Sequence, residues 1–151
     1  MNKQANFKDR TNANIVITSI ASSIVAGILS YFILGESGSI NLLGMNVPSY
    51  AMTGLLVGTG AATGQWLARK SSGKLQQWWP SWSQETISQL ETIMPVFDTA
   101  LFSIVSGSIA LREVPSLYGA SIMGIIGSSA YLVSEFTLDK LLYSETGIDY
   151  V

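Results

Sequence analysis

The stretch IVITSIASSIVAGILSYFIL, Ile15 to Leu34, decides the fold: it carries no charge over twenty residues, and about 20 apolar residues carry a helix across a hydrocarbon core of roughly 30 Å. Outward from it, two more uncharged runs are long enough to span. Val47 to Ala68 stops at Arg69 and Lys70, and Val114 to Ser134 stops at Glu135. A fourth run, from about Ile93 to Leu111, contains one carboxylate, Asp98. A cleaved signal peptide would have a shorter apolar region and a small-x-small site before Glu36, so the first run is expected to be retained as a signal-anchor.

Composition agrees with a membrane protein. The 151 residues are 48% hydrophobic and 12% charged, about half the charge of an ordinary soluble domain, with a mean hydropathy of +0.36. Cysteine and histidine are both absent, which removes disulfide frameworks, Cys/His zinc sites, thiol nucleophiles and imidazole bases. The net charge of −2 leaves no basic surface to track phosphates, so no nucleic-acid partner is expected.

The expected fold is an all-α membrane protein with four transmembrane helices, about 15–34, 47–68, 93–111 and 114–134, arranged as two hairpins. A basic arm, 1–14, precedes them. An interfacial loop and short helix occupy 69–92, and an acidic tail covers 135–151. Pro48, Pro95 and Pro115 are expected in the first turns of spans two, three and four, where a missing N–H has no partner to lose. Lys3, Lys8, Arg10, Arg69, Lys70, Lys74 and Lys140 then fall on one side, against Arg112 beside Glu113 on the other. The positive-inside rule puts both termini on the cytoplasmic-equivalent side.

Two segments recur in the same order. Ser23-Ile24-Val25-Ala26-Gly27 returns as Ser103-Ile104-Val105-Ser106-Gly107, and Val47-Pro48-Ser49 returns as Val114-Pro115-Ser116. The chain reads as two parallel copies of a helical hairpin, the first with a longer outer loop from Gly35 to Asn46. The alternative is coincidence in a low-diversity apolar alphabet.

Membrane helices associate through close approach and weak hydrogen bonds, which favours small residues at one-turn spacing. Such rows are Ser19, Ser23 and Gly27; Gly54, Gly58 and Ala62; Thr99, Ser103 and Gly107; and Ala120, Gly124 and Ser128. Gly60 and Gly64 form a further pair, expected to pack within the bundle or, alternatively, against another protein. All four tryptophans, Trp66, Trp78, Trp79 and Trp82, cluster near Arg69 and Lys70 and read as membrane-interface anchors. After Pro80, the run Ser81 to Gln84 fits a capping box, and Trp82, Ile87, Leu90, Ile93 and Met94 recur near a helical period, which suggests a short interfacial helix leading into span three, which Pro95 would open. That segment either anchors at the interface or docks a peripheral protein.

Asp98 is the sole ionisable residue within a span. If Pro95 starts the helix, Asp98 lies in its first turn, at the positive end of the helix dipole; the alternative is an ion or proton site. No second intramembrane carboxylate and no base for a serine nucleophile exist, and Gly58 to Gly64 lacks the lysine of a phosphate loop. No catalysis, cofactor or metal is expected.

With its short length, paired Ser/Gly-rich spans, absence of catalytic polar residues and small polar termini, the chain resembles the membrane-embedded minor capsid proteins of large icosahedral double-stranded DNA viruses with an internal membrane. That resemblance implies a structural subunit in a virion, with the lipid bilayer and other protein subunits as partners. A supernumerary subunit of an energy-converting complex would look much the same. The alternative function is a small homo-oligomeric ion channel or transporter, and insertion or assembly factors are a third class.

Overall fold

The computed structural model describes residues 12–35, 38–42, 44–71, 74–111 and 114–143. In chain order the elements are α1 (Asn12–Leu34), β1 (Ser39–Leu42), β2 (Met45–Pro48), α2 (Ser49–Ser71), α3 (Lys74–Trp78), α4 (Gln84–Leu111) and α5 (Leu117–Tyr143). Three of the helices are long and apolar enough to cross a membrane, over Asn12–Ile33, Gln84–Ile109 and Leu117–Leu138. The fold is compatible with an integral membrane protein.

The four long helices form a ring. α1 packs on α2 and α5, and α4 packs on α2 and α5, so α2 and α5 face each other across the bundle. Ala26, Val57 and Ala130 make its buried apolar centre, with Val25 and Leu29 against them. The polarity of the surface is inverted relative to a soluble protein. Thr18, Ser22, Thr53, Thr99, Ser103 and Ser106 are buried, whereas Val16, Ile20, Ile24 and Ile28 on α1 and Ile93, Phe97, Leu101 and Val105 on α4 are exposed. These apolar stripes would be an aggregation liability in water. In lipid they are the contact surface.

Four expectations need correction. The segment after α1 is not a plain loop: β1 and β2 pair antiparallel, Ile40 with Val47 and Leu42 with Met45. Glycines make this possible, because Gly35, Gly38 and Gly44 adopt φ values of 70°, 72° and 85°, which side chains with a Cβ resist. Gly35 ends α1 by donating its N–H to the Tyr31 carbonyl at 3.0 Å, a left-handed C-cap. The Asn41 Oδ1 accepts the Gly44 N–H at 3.0 Å to close the turn.

Second, none of the three prolines opens a helix. Pro48 ends β2 and Pro115 precedes the cap of α5, while Pro95 lies inside α4. Third, the interfacial helix is not separate from span three, since α4 runs unbroken from Gln84. Its N-cap is Ser83, whose Oγ accepts the Thr86 N–H at 3.2 Å, so the cap stands two residues beyond Ser81. Ser116 serves α5 in the same way, accepting from Gly119 at 3.1 Å. Fourth, α5 continues past Ser134 and Glu135 to Tyr143, so the first part of the expected tail is helical. The arm before residue 12, Arg112 with Glu113, and the tail beyond residue 143 lie outside the described residues.

Candidate functional site

The residues with the closest approach lie on the seams between helices. On α2, Gly54 and Gly58 turn toward α1: a Cβ at Gly54 would stand 2.6 Å from the Ser23 carbonyl oxygen, and one at Gly58 would stand 2.9 Å from that of Ser19. Gly27 completes the seam, its own Cβ position 3.5 Å from the Tyr50 carbonyl. A second face of α2, about 120° around at 3.6 residues per turn, carries Gly60 and Gly64 and meets α4. There a Cβ at Gly64 would be 2.6 Å from the Pro95 Cα and 3.1 Å from the Asp98 Cβ. Gly60 and Gly64 therefore pack within the chain. Ala62 is half-buried on α2.

The seam with Gly64 also explains how Pro95 sits in mid-helix. A proline interior to a helix loses one hydrogen bond and crowds the preceding turn, and in membranes neighbouring helices compensate. Here the fully buried Pro95 rests where α2 has no Cβ. Thr99 Oγ1 donates to the Pro95 carbonyl at 2.8 Å and to Val96 at 2.9 Å.

Between α4 and α5 the contact is made by Thr99, Ser103 and Gly107 on one side. A Cβ at Gly127 would collide with the Thr99 carbonyl and lie 2.7 Å from the Ser103 Cβ, and Gly107 faces the Met123 side chain at 3.0 Å. Gly124 is looser, with the Ile104 Cδ1 3.6 Å away. Ala120 and Ser128 are half-buried, and the Ser128 hydroxyl donates to the Gly124 carbonyl at 2.9 Å. Gly127 stands three residues from Gly124, so a four-residue spacing of small residues does not reveal it.

Most hydroxyls along the seams are occupied by their own helix. Ser19 donates to Ile15 at 2.6 Å, Ser22 to Thr18 at 2.7 Å and Ser134 to Ala130 at 2.7 Å. Others cross between helices: Thr53 Oγ1 and Ser106 Oγ are 2.9 Å apart and buried, and Ser71 Oγ on α2 donates to Met94 Sδ on α4 at 3.6 Å. Gln65, Tyr131 and Glu91 are also buried.

Asp98 is not in a first turn. With α4 beginning at Gln84, it lies more than three turns in, beyond the reach of the helix dipole. It is half-buried at the α2 seam, its Cβ packed against Gly64.

At the end of the bundle where α2 stops, a tryptophan meets a cation. Lys70 Nζ stands 4.2 Å over the Trp66 ring, and Arg69 Nη1 donates to Asn12 Oδ1 at 2.8 Å. Trp79 and Trp82 stack at 5.1 Å, and Trp78 meets Trp79 edge-on at 6.0 Å. Among the described residues, no group of three or more Asp and Glu side chains converges as a metal site would require. The chain matches no protein family, no curated protein and no solved structure.

Proposed function

We propose that this chain is a non-enzymatic integral membrane subunit that anchors or scaffolds a larger membrane-associated assembly, of which a virion with an internal membrane is one form. The observation that supports this most is the closure of the seams. Glycine brings backbones into contact at Gly54, Gly58, Gly64 and Gly127, and the hydroxyls of Ser19, Ser22, Thr53 and Thr99 are bonded to carbonyls one turn back, while Ser103 Oγ is buried beside Gly127 without a partner. A conduction path needs polar groups free to replace a solute's hydration. Four of the seam hydroxyls are committed to their own helices, and the free Ser103 hydroxyl is sealed between α4 and α5.

On this reading four helices span. α2 has 23 residues, or about 35 Å of helix, and lies between α1 and α4 through two glycine faces. Its Gly/Ala/Thr content suits a helix bounded by protein, where smallness matters more than lipophilicity. The connection at α3 and the start of α4 lies at the interface, and the Lys/Arg bias places that end and both termini on the cytoplasmic-equivalent side. The hairpins α1–α2 and α4–α5 are two copies of one unit, since Ser23 and Gly27 meet α2 as Ser103 and Gly107 meet α5.

The second reading, a small channel or transporter, is favoured by one observation: Asp98 is a half-buried carboxylate inside a helix long and apolar enough to span. Reconstitution into liposomes separates the two. The structural reading expects ion and proton flux no greater than that of empty vesicles, and a substantial flux altered by Asp98→Asn would replace it with the second reading.

A further inference from the structure

The basic end of the bundle holds more recognition chemistry than simple anchoring uses. All four tryptophans of the chain are there, and every one of the rings is exposed. Indole offers an apolar body and one N–H donor, which suits the level of phosphate and ester groups. Three cations share the site. The partners of Arg69 and Lys70 are an amide oxygen and an indole ring, neither of which neutralises charge. Arg69 uses one of the five donors of a guanidinium on Asn12, and Lys74 is exposed at the start of α3. The acids on the same connection are the exposed Glu85 and the buried Glu91, two negative charges against three positive.

We infer that this end of the bundle is a binding site for anionic phospholipid headgroups, with phosphates on Arg69, Lys70 and Lys74 and the indoles seated against the glycerol region. The inference rests on the reading that α2 and α4 cross the bilayer with this end at its surface. Charge complementarity selects the occupant. A zwitterionic headgroup brings its own cation and so leaves the excess positive charge uncompensated, whereas an anionic headgroup supplies the missing counter-charge. Each Lys or Arg near an anionic surface is worth about fivefold in affinity, the equivalent of about 1 kcal/mol. Lys70 is held over Trp66 rather than ranging freely, so part of the ordering needed to place its charge is already present.

The tryptophans report on this site and no other, which makes the test direct. The full chain is reconstituted in phosphatidylcholine vesicles containing either brominated phosphatidylcholine or brominated phosphatidylglycerol, and quenching of tryptophan fluorescence gives the relative binding of each lipid. The expected result is preferential quenching by the brominated anionic lipid, by about fivefold or more. That preference should fall toward one at molar salt, where screening acts over about 3 Å, and in Lys70→Gln/Lys74→Gln, while Lys70→Arg/Lys74→Arg retains it. Equal quenching by both lipids in the unaltered protein, as expected if these cations serve an acidic partner protein instead, overturns the proposal. A preference that survives in Lys70→Gln/Lys74→Gln also overturns it. Quenching by neither lipid rejects the spanning reading as well, so the two failures are distinguishable.

Discussion

Adding one methyl group at Gly64 should destabilise the bundle, and the geometry sets the size. The Cβ of Gly64→Ala would lie 2.6 Å from the Pro95 Cα, roughly 0.8 Å inside the 3.4 Å at which ordinary contact begins. The obstructing atoms are the backbone of α4 and the Cβ of Asp98, so no rotamer change relieves them and the helices must part locally. A gap of 0.5–1 Å forfeits about a quarter to a half of each dispersion contact, and overpacking of this kind costs about 1–3 kcal/mol. Alanine returns about 0.8–1 kcal/mol of helix propensity. An overlap with backbone atoms belongs in the upper half of the overpacking range, about 2–3 kcal/mol, so the expected net loss is about 1–2 kcal/mol. Gly124→Ala is the control, because its nearest neighbour is the flexible Ile104 Cδ1 at 3.6 Å; it keeps the propensity gain and should be neutral or slightly stabilising. Steric-trap unfolding in bicelles measures both variants in one background. Equal stability of the two, or Gly64→Ala at wild-type stability, would show that the α2–α4 seam does not depend on the absence of a side chain.

The same reasoning gives further outcomes. Gly127→Ala should cost about as much as Gly64→Ala in the same assay, since its Cβ meets the Thr99 backbone. A double-mutant cycle with Thr53→Val and Ser106→Ala should return a coupling of about 0.6 kcal/mol, and a value near zero would mean the 2.9 Å contact contributes nothing. Single cysteines introduced as Ala5→Cys and Glu145→Cys should be labelled from one side of the membrane and Met45→Cys from the other; labelling of the first two from opposite sides would remove the four-span topology. Asp98→Asn should insert at least as well as wild type, because it removes a charge costing up to about 2.5–3.5 kcal/mol at mid-membrane, and impaired insertion would mean the charge itself is needed.

How far the sequence could be read depended on the length of the signal. The uncharged run from Ile15 to Leu34 becomes α1 almost residue for residue, because nothing competes with a helix in twenty apolar residues. The place of Pro95 is not legible locally, because its effect is decided by α2: the proline stays inside α4 where Gly64 leaves room for it. The hairpin from Ser39 to Pro48 was missed because its alternation is only four residues per strand, within the range where loops and strands are alike. Its left-handed glycines were the available signal. The glycines of α2 were visible as rows, but which row meets α1 and which meets α4 follows from the ring order of the bundle, a tertiary property.

The most direct measurement of the central claim is the composition of the particle that this chain occupies in its native membrane, obtained by mild extraction and native mass spectrometry. The account predicts a large assembly containing this chain at fixed stoichiometry with other proteins, and no flux when the chain is reconstituted alone. A symmetric homo-oligomer of this chain with no other subunit, conducting ions in liposomes, would contradict it.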